Sequence, residues 1–183
     1  MKTQKFFSIA ILALVFGASS FAQKTVTVGG APMYPTKNIV ENAVNSKDHT
    51  TLVAAVKAGD LVETLMSKGP FTVFAPTNAA FDKLPKGTVE TLVKPENKAM
   101  LQGILTYHVV AGKLDSKAIA AAIKAGNGSA EFKTVQGGKI WCKMDGKKLV
   151  ITDEKGNQST VTIADVYQSN GVIHVVDSVI MHS

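Results

Sequence analysis

The four histidines are the first residues whose spacing could support chemistry. They stand singly along the chain, at His49, His108, His174 and His182. A zinc protease needs two histidines one helical turn apart with a glutamate between them, so that both rings face one ion. No pair has this spacing. We therefore predict neither a metal nor another cofactor.

Motifs for nucleotide and ester chemistry are missing as well. A phosphate-binding loop, a dinucleotide fingerprint and a nucleophile elbow each need glycines at fixed offsets. The nearest segment, residues 126–129 (GNGS), has none of these spacings. All 20 basic residues are lysine. Without arginine the chain lacks the planar fork that usually recognises phosphate or guanine, so nucleic acid is not an expected partner.

A catalytic triad could still be assembled by folding, because triads are defined by geometry and not by order in the sequence. Its members would be His108 or His174, a serine or threonine, and Asp165 or Asp177. A histidine that alternates with valines in a strand is usually packed and hydrogen-bonded, so we expect structural roles for both histidines. The prediction is that the protein is not an enzyme. A hydrolase that uses His108 or His174 with an acidic partner is the alternative.

The amino terminus predicts export. Within residues 1–22, Lys2 and Lys5 precede an apolar run over 6–16, and small residues end at Ala22, as in a secretory signal peptide. No later stretch is apolar over the roughly 20 residues that a membrane-spanning helix needs. We expect a protein without a transmembrane anchor, secreted or periplasmic after cleavage near Ala22. The one cysteine, Cys142, cannot form an intramolecular disulfide, and we expect it to be buried and inert.

Two halves of different pattern must position these residues. Residues 23–36 contain two glycines and two prolines without a helical period, which predicts a linker. From residue 37 to about Gly126, apolar residues recur every three or four positions and predict short helices, interrupted by a strand at 71–75. Five β-prone runs with glycine-bearing turns follow and predict hairpins. Helices first and strands last indicate an α+β domain with an antiparallel sheet.

Three separated motifs carry a family resemblance. They are residues 69–81 (GPFTVFAPTNAAF), the pair Tyr107 and His108, and residues 170–177 (NGVIHVVD). These resemble, in the same order, the first homology segment, the tyrosine-histidine motif and the second segment of the fasciclin domain family. The resemblance covers residues 37–182. It implies a wedge-shaped antiparallel β-sandwich with a layer of short α-helices from the amino-terminal half.

The resemblance also implies a function. It is that of an exported adhesion or binding module that contacts extracellular or envelope proteins or polysaccharides through a surface patch, as a monomer or weak homo-oligomer. A self-associating structural envelope protein is a second alternative. The positions that match recognition residues of animal members are Asp165, Val166, Tyr107 and His108. The other motif residues are expected to be structural, with Thr77 and Asn78 capping a helix; they are Thr72, Phe74, Pro76, Thr77, Asn78, Phe81, Asn170, Gly171, His174 and Asp177.

Overall fold

The structure is a computed structural model that describes residues 25–182. The predicted signal peptide over residues 1–22 lies outside the described residues. Between residues 25 and 182, no helix combines the length and the apolar character that crossing a membrane requires.

The described chain begins with a hairpin of β1 (Val26–Val28) and β2 (Ala31–Met33). Gly29 and Gly30, which suggested a linker, have positive φ angles and form its two-residue turn. Val28 and Met33 are buried in the core. Residues ahead of the predicted domain boundary at residue 37 are therefore part of the packed fold, because a glycine pair serves a tight hairpin as well as a loose linker.

Short helices follow, as the apolar spacing predicts. They are α1 (Ile39–Ala43), α2 (Thr50–Ala58), α3 (Val62–Met66), α4 (Asn78–Asp82), α5 (Thr88–Leu92), α6 (Lys98–Tyr107) and α7 (Ser116–Ala125). Thr77 caps α4 by accepting a hydrogen bond from the Ala80 amide, and Gly59 ends α2. The α7 cap is Asp115, whose carboxylate accepts from the Ala118 amide. Two 3-10 turns, Lys47–His49 and Pro95–Asn97, precede α2 and α6.

The main sheet of the described residues has seven strands. They are β3 (Phe71–Pro76), β4 (Val109–Ala111), β5 (Ala130–Lys133), β6 (Lys139–Asp145), β7 (Lys148–Thr152), β8 (Gln158–Gln168) and β9 (Gly171–Val176). Their spatial order is β4-β3-β9-β8-β7-β6-β5, and a bridge between Val110 and Thr134 joins the two ends, so the sheet curls into a near-barrel. The α+β prediction is confirmed, but the sheet is mixed, because β3 and β9 pair in parallel. Turn signals fix only neighbouring strands, whereas these two are separated by most of the domain.

Two hydrophobic clusters pack on opposite faces of β3 and β9. Val73 and Ala75 point into the first cluster, with residues of the hairpin and of α1 to α6, while Phe74 points into the second. This alternation follows from the two-residue period of a strand. The second cluster lies inside the near-barrel under α7 and includes Cys142, which is fully buried as expected. Loss of solvation raises the pKa of this thiol to about 12.

Candidate functional site

The tyrosine-histidine pair lies where α6 ends and is buried. The Tyr107 hydroxyl donates to the Lys139 carbonyl at 2.6 Å and accepts from the Glu154 amide at 3.2 Å. Burial raises the pKa of Tyr107 to about 12. His108 Nδ1 lies 2.8 Å from the Ile104 carbonyl, and its Nε2 accepts from the Ile180 amide at 3.1 Å. The pair therefore fastens α6 to the sheet and to the end of the described chain.

His174, in β9, likewise links separate elements. Its Nε2 lies 2.8 Å from the Leu114 carbonyl, and its Nδ1 accepts from the Asp165 backbone amide at 3.3 Å. The ring stacks on Phe74 with 5.6 Å between centroids. The carboxylate of Asp165 points elsewhere: one oxygen accepts from the Ser116 amide at 2.6 Å and the other from the Ser116 hydroxyl. Asp165 has a positive φ of 59° and is half-buried.

These contacts fix the charge of both histidines. In each ring the nitrogen beside a carbonyl must carry the proton, and the nitrogen that accepts from an amide must lack one, so the ring is neutral. Desolvation lowers the pKa of His108 to about 4 and that of His174 below its ordinary value. Among residues 25–182, neither ring forms a hydrogen bond with a carboxylate. The described residues thus place both rings as structural links and leave no ring nitrogen available to a substrate.

Asn170 forms hydrogen bonds with three backbone groups from two separate helical regions. Its side-chain oxygen accepts from the Ile39 amide at 3.0 Å, and its amide donates to the carbonyls of Leu65 and Ser67 at 2.7 and 2.8 Å. One buried side chain therefore joins the start of α1 to the end of α3. Gly171 follows directly, and any side chain there would overlap the Phe71 carbonyl, so only glycine allows β9 to approach β3 this closely.

Polar motif residues in and after β3 also join separate elements. The Thr72 hydroxyl donates to the Gly112 carbonyl and accepts from the Leu114 amide. Asn78 does not cap its own helix, contrary to the prediction. Its side chain caps α2 instead by accepting from the Thr51 amide, and it donates to the Lys47 carbonyl. Asp177 accepts from the Thr160 amide at 2.8 Å. Pro76 pairs with Val176 at the end of β3, and Phe81 is buried against the first cluster.

Of the four predicted contact residues, only Asp165 has an accessible part. Tyr107, His108 and Val166 are 0%, 3% and 1% exposed. A partner that approaches from solvent cannot touch these three side chains in this conformation. A contact through Asp165 stays a prediction, and its carboxylate is already engaged by Ser116.

The outer face of β5 to β7 carries a tryptophan among charged residues. Trp141 lies on it, half-buried, between the cross-strand neighbours Glu131 and Thr152, while Ile140 and Cys142 point inward. Lysines surround the tryptophan, and one of them, Lys139, forms an ion pair with Glu131 at 2.8 Å. We call this surface the Trp141 face; its other members are Lys133, Lys143, Asp145 and Lys148. The family motifs do not point to this face; the only signal in the sequence is the alternation in residues 139–143 (KIWCK), which marks Trp141 as outward-facing.

Comparison with known proteins agrees with the motifs. The family profile described as Fasciclin domain matches residues 47–182. The chain belongs to the fasciclin domain family. It is 46% identical over 176 residues to Protein sll1483 of Synechocystis sp., covering 96% of this chain and 90% of that protein.

Two further fasciclin relatives are more distant. The chain is 29% identical over 171 residues to the cell surface glycolipoprotein MPB83 of Mycobacterium bovis, covering 90% of this chain and 70% of that protein. It superimposes with a TM-score of 0.70 on a solved FAS1 domain pair from the insect cell adhesion molecule Fasciclin I, at 18% identity, covering 79% of this chain and 51% of that one. The second likeness concerns the fold, and it confirms the predicted fasciclin architecture.

Proposed function

We propose that the protein is an exported, non-enzymatic adhesion module that contacts extracellular or envelope proteins or polysaccharides through the Trp141 face. The main support for this proposal is Trp141 itself, a tryptophan on the outer face of the sheet with lysines beside it. Tryptophan contributes a large contact area at low entropic cost and dominates many binding surfaces. The four lysines exceed the two acids of the face, which favours partners that carry negative charge.

Three further observations support this assignment. The predicted signal peptide favours a location outside the cytoplasm, and so does the likeness to MPB83, a cell surface glycolipoprotein, and to the insect protein, a cell adhesion molecule. The hydrolase alternative loses support because His108 and His174 are neutral and bonded to backbone at both ring nitrogens. The polar side chains of the motifs hydrogen-bond within the fold, which leaves recognition to the exterior.

A pull-down from envelope extract with the immobilised full chain tests the proposal. We expect Trp141→Ala to weaken capture at least tenfold, in line with the loss of a central aromatic contact. Tyr34→Ala is the control, because Tyr34 is an accessible aromatic residue, 43% exposed, that lies outside the Trp141 face. Unchanged capture by Trp141→Ala would refute the proposed surface.

Two variants test the charge of the Trp141 face and the alternative contact at Asp165. Lys143→Glu should weaken capture and make it less sensitive to salt, because it removes one favourable charge from the face. Asp165→Asn tests the contact that the resemblance implies. If Asp165→Asn abolishes capture while Trp141→Ala retains it, the partner binds at the other site.

A further inference from the structure

A row of polar side chains crosses the sheet beside Trp141. Trp141 in β6 pairs with Thr152 in β7, and Thr152 pairs with Gln158 in β8, so all three lie on the outer side of the sheet. Thr160 lies two residues further along β8 on the same side. The indole N–H, the two hydroxyls and the amide of this row form no hydrogen bond with residues 25–182. Four side-chain hydrogen-bonding groups are thus available to a ligand beside a flat aromatic ring.

This composition fits a carbohydrate better than a protein. A sugar ring has C–H groups on its faces and hydroxyls at its rim that both donate and accept hydrogen bonds. Threonine hydroxyls and a glutamine amide also do both, and an indole offers an apolar plane. The centre of a protein interface is instead apolar and poor in lysine. Among residues 25–182, Trp141 is the only aromatic side chain on this outer face, and its apolar neighbour Val150 is 5% exposed.

Lysines lie on both sides of the tryptophan along the strand direction. Lys143 follows Trp141 by two residues, while Lys139 precedes it by two and pairs with Lys133 in β5. The rise of a strand places the two sides about 13 Å apart. Glu131 engages Lys139, whereas Lys133 and Lys143 form no ion pair with residues 25–182. Their ammonium groups suit a chain that carries negative charge on either side of a stacked sugar.

We propose that the Trp141 face binds an acidic polysaccharide, one sugar ring of which stacks on Trp141. The hydroxyl groups of that sugar hydrogen-bond to Thr152 and Gln158. Carboxylate or sulfate groups of the chain contact Lys133 and Lys143, because a compact ammonium group attracts either acid. This inference rests on the proposed function, since it names the ligand class of the same face. A protein bound at this face is the contrasting case, and the experiment separates the two.

Fluorescence titration of the purified full chain tests the inference. Trp141 is the only tryptophan of the chain, so its emission reports on a ring stacked against it. Polygalacturonate supplies carboxylates and dextran sulfate supplies sulfates; methyl-esterified polygalacturonate and dextran are their uncharged counterparts. We expect a saturable change with at least one acidic polymer, and about fivefold weaker binding of its uncharged counterpart, the effect of two exposed ion pairs. Polyglutamate, which has charge but no sugar, should leave the emission unchanged.

Three variants assign the contacts. Lys143→Ala should weaken binding of the acidic polymer about threefold and leave binding of the uncharged polymer as it is. Lys86→Ala, at an exposed lysine between α4 and α5, is the control and should bind as the wild type does. Gln158→Ala removes a hydrogen bond to the sugar itself, so it should weaken both polymers by the same factor.

The wild-type titrations alone can overturn the inference, so the test does not depend on the folding of a variant. It is wrong if neither acidic polymer gives a saturable change, if charged and uncharged polymers bind equally, or if polyglutamate acts as the polysaccharides do. Should that occur while Trp141→Ala still loses capture of an envelope protein, the face binds a protein and the proposed function stands. Unchanged capture by Trp141→Ala, with polysaccharide bound to the wild type, would refute the adhesion role and retain the polysaccharide site.

Discussion

Replacement of Asn170 is the sharpest test of the structural role of the second motif. Asn170→Ala removes three hydrogen bonds, two of them fully buried, and leaves the Ile39 amide and the Leu65 carbonyl without partners. Each buried group left unsatisfied costs about 1–3 kcal/mol, and the Ser67 carbonyl adds little because Ser67 is exposed. The expected loss in the free energy of unfolding is about 4 kcal/mol, a large part of the roughly 5–15 kcal/mol available.

Urea unfolding followed by circular dichroism measures this loss. The midpoint should fall by about 2 M at a slope of about 2 kcal/mol/M. Asn45→Ala is the matched control, since its side chain makes one exposed hydrogen bond to the Glu41 carbonyl, and it should cost less than about 1 kcal/mol. Asn170→Asp keeps the acceptor for Ile39 but points an oxygen at two carbonyls, so it should be no milder than Asn170→Ala. A loss for Asn170→Ala as small as that for Asn45→Ala would show that Asn170 does not hold α1 and α3 together.

Three other predictions concern buried groups. Because the folded pKa of His108, about 4, lies below the ordinary 6.5, the unfolded chain binds the proton first; stability is complete above pH 6.5 and falls toward pH 4. Urea unfolding should therefore show that the free energy of unfolding drops between pH 7 and pH 4.5, and that this drop is about 2 kcal/mol smaller in His108→Gln than in the wild type. Equal drops would contradict a buried, neutral His108 ring. Cys142 should react with a thiol reagent only as fast as the protein opens, so rapid labelling without urea would show that the cluster is open. Gly171→Ala should lower the free energy of unfolding by about 3 kcal/mol or more, because the new methyl group forces β9 away from β3. Gly103→Ala should be far milder, since its nearest new contact is His182 Nε2 at 3.1 Å. Similar unfolding midpoints for the two variants would contradict the close approach of β9 to β3.

Local signals explain why much of the fold is predictable from the sequence. Apolar spacing identifies the short helices, Thr77 marks the start of α4, and glycine-bearing turns mark the hairpins among β5 to β9. Each of these features is decided by residues close together in the chain. The resemblance of three motifs adds the family, which the comparisons confirm.

The features that the sequence leaves open are long-range. The parallel pairing of β3 with β9 joins residues about one hundred positions apart, and Asn78 caps α2 instead of its own helix. Gly29 and Gly30 look the same in a linker and in a turn, and only the burial of Val28 and Met33 distinguishes the two cases.

One experiment tests whether the buried motif residues stabilise the fold while the Trp141 face binds the partner. Binding to envelope extract is compared for Tyr107→Phe and Trp141→Ala at a temperature where both are folded. Tyr107→Phe loses two hydrogen bonds and should unfold at lower urea, yet bind as tightly as the wild type. Trp141→Ala should bind at least tenfold more weakly. If folded Tyr107→Phe loses binding while Trp141→Ala binds fully, recognition does not lie on the Trp141 face.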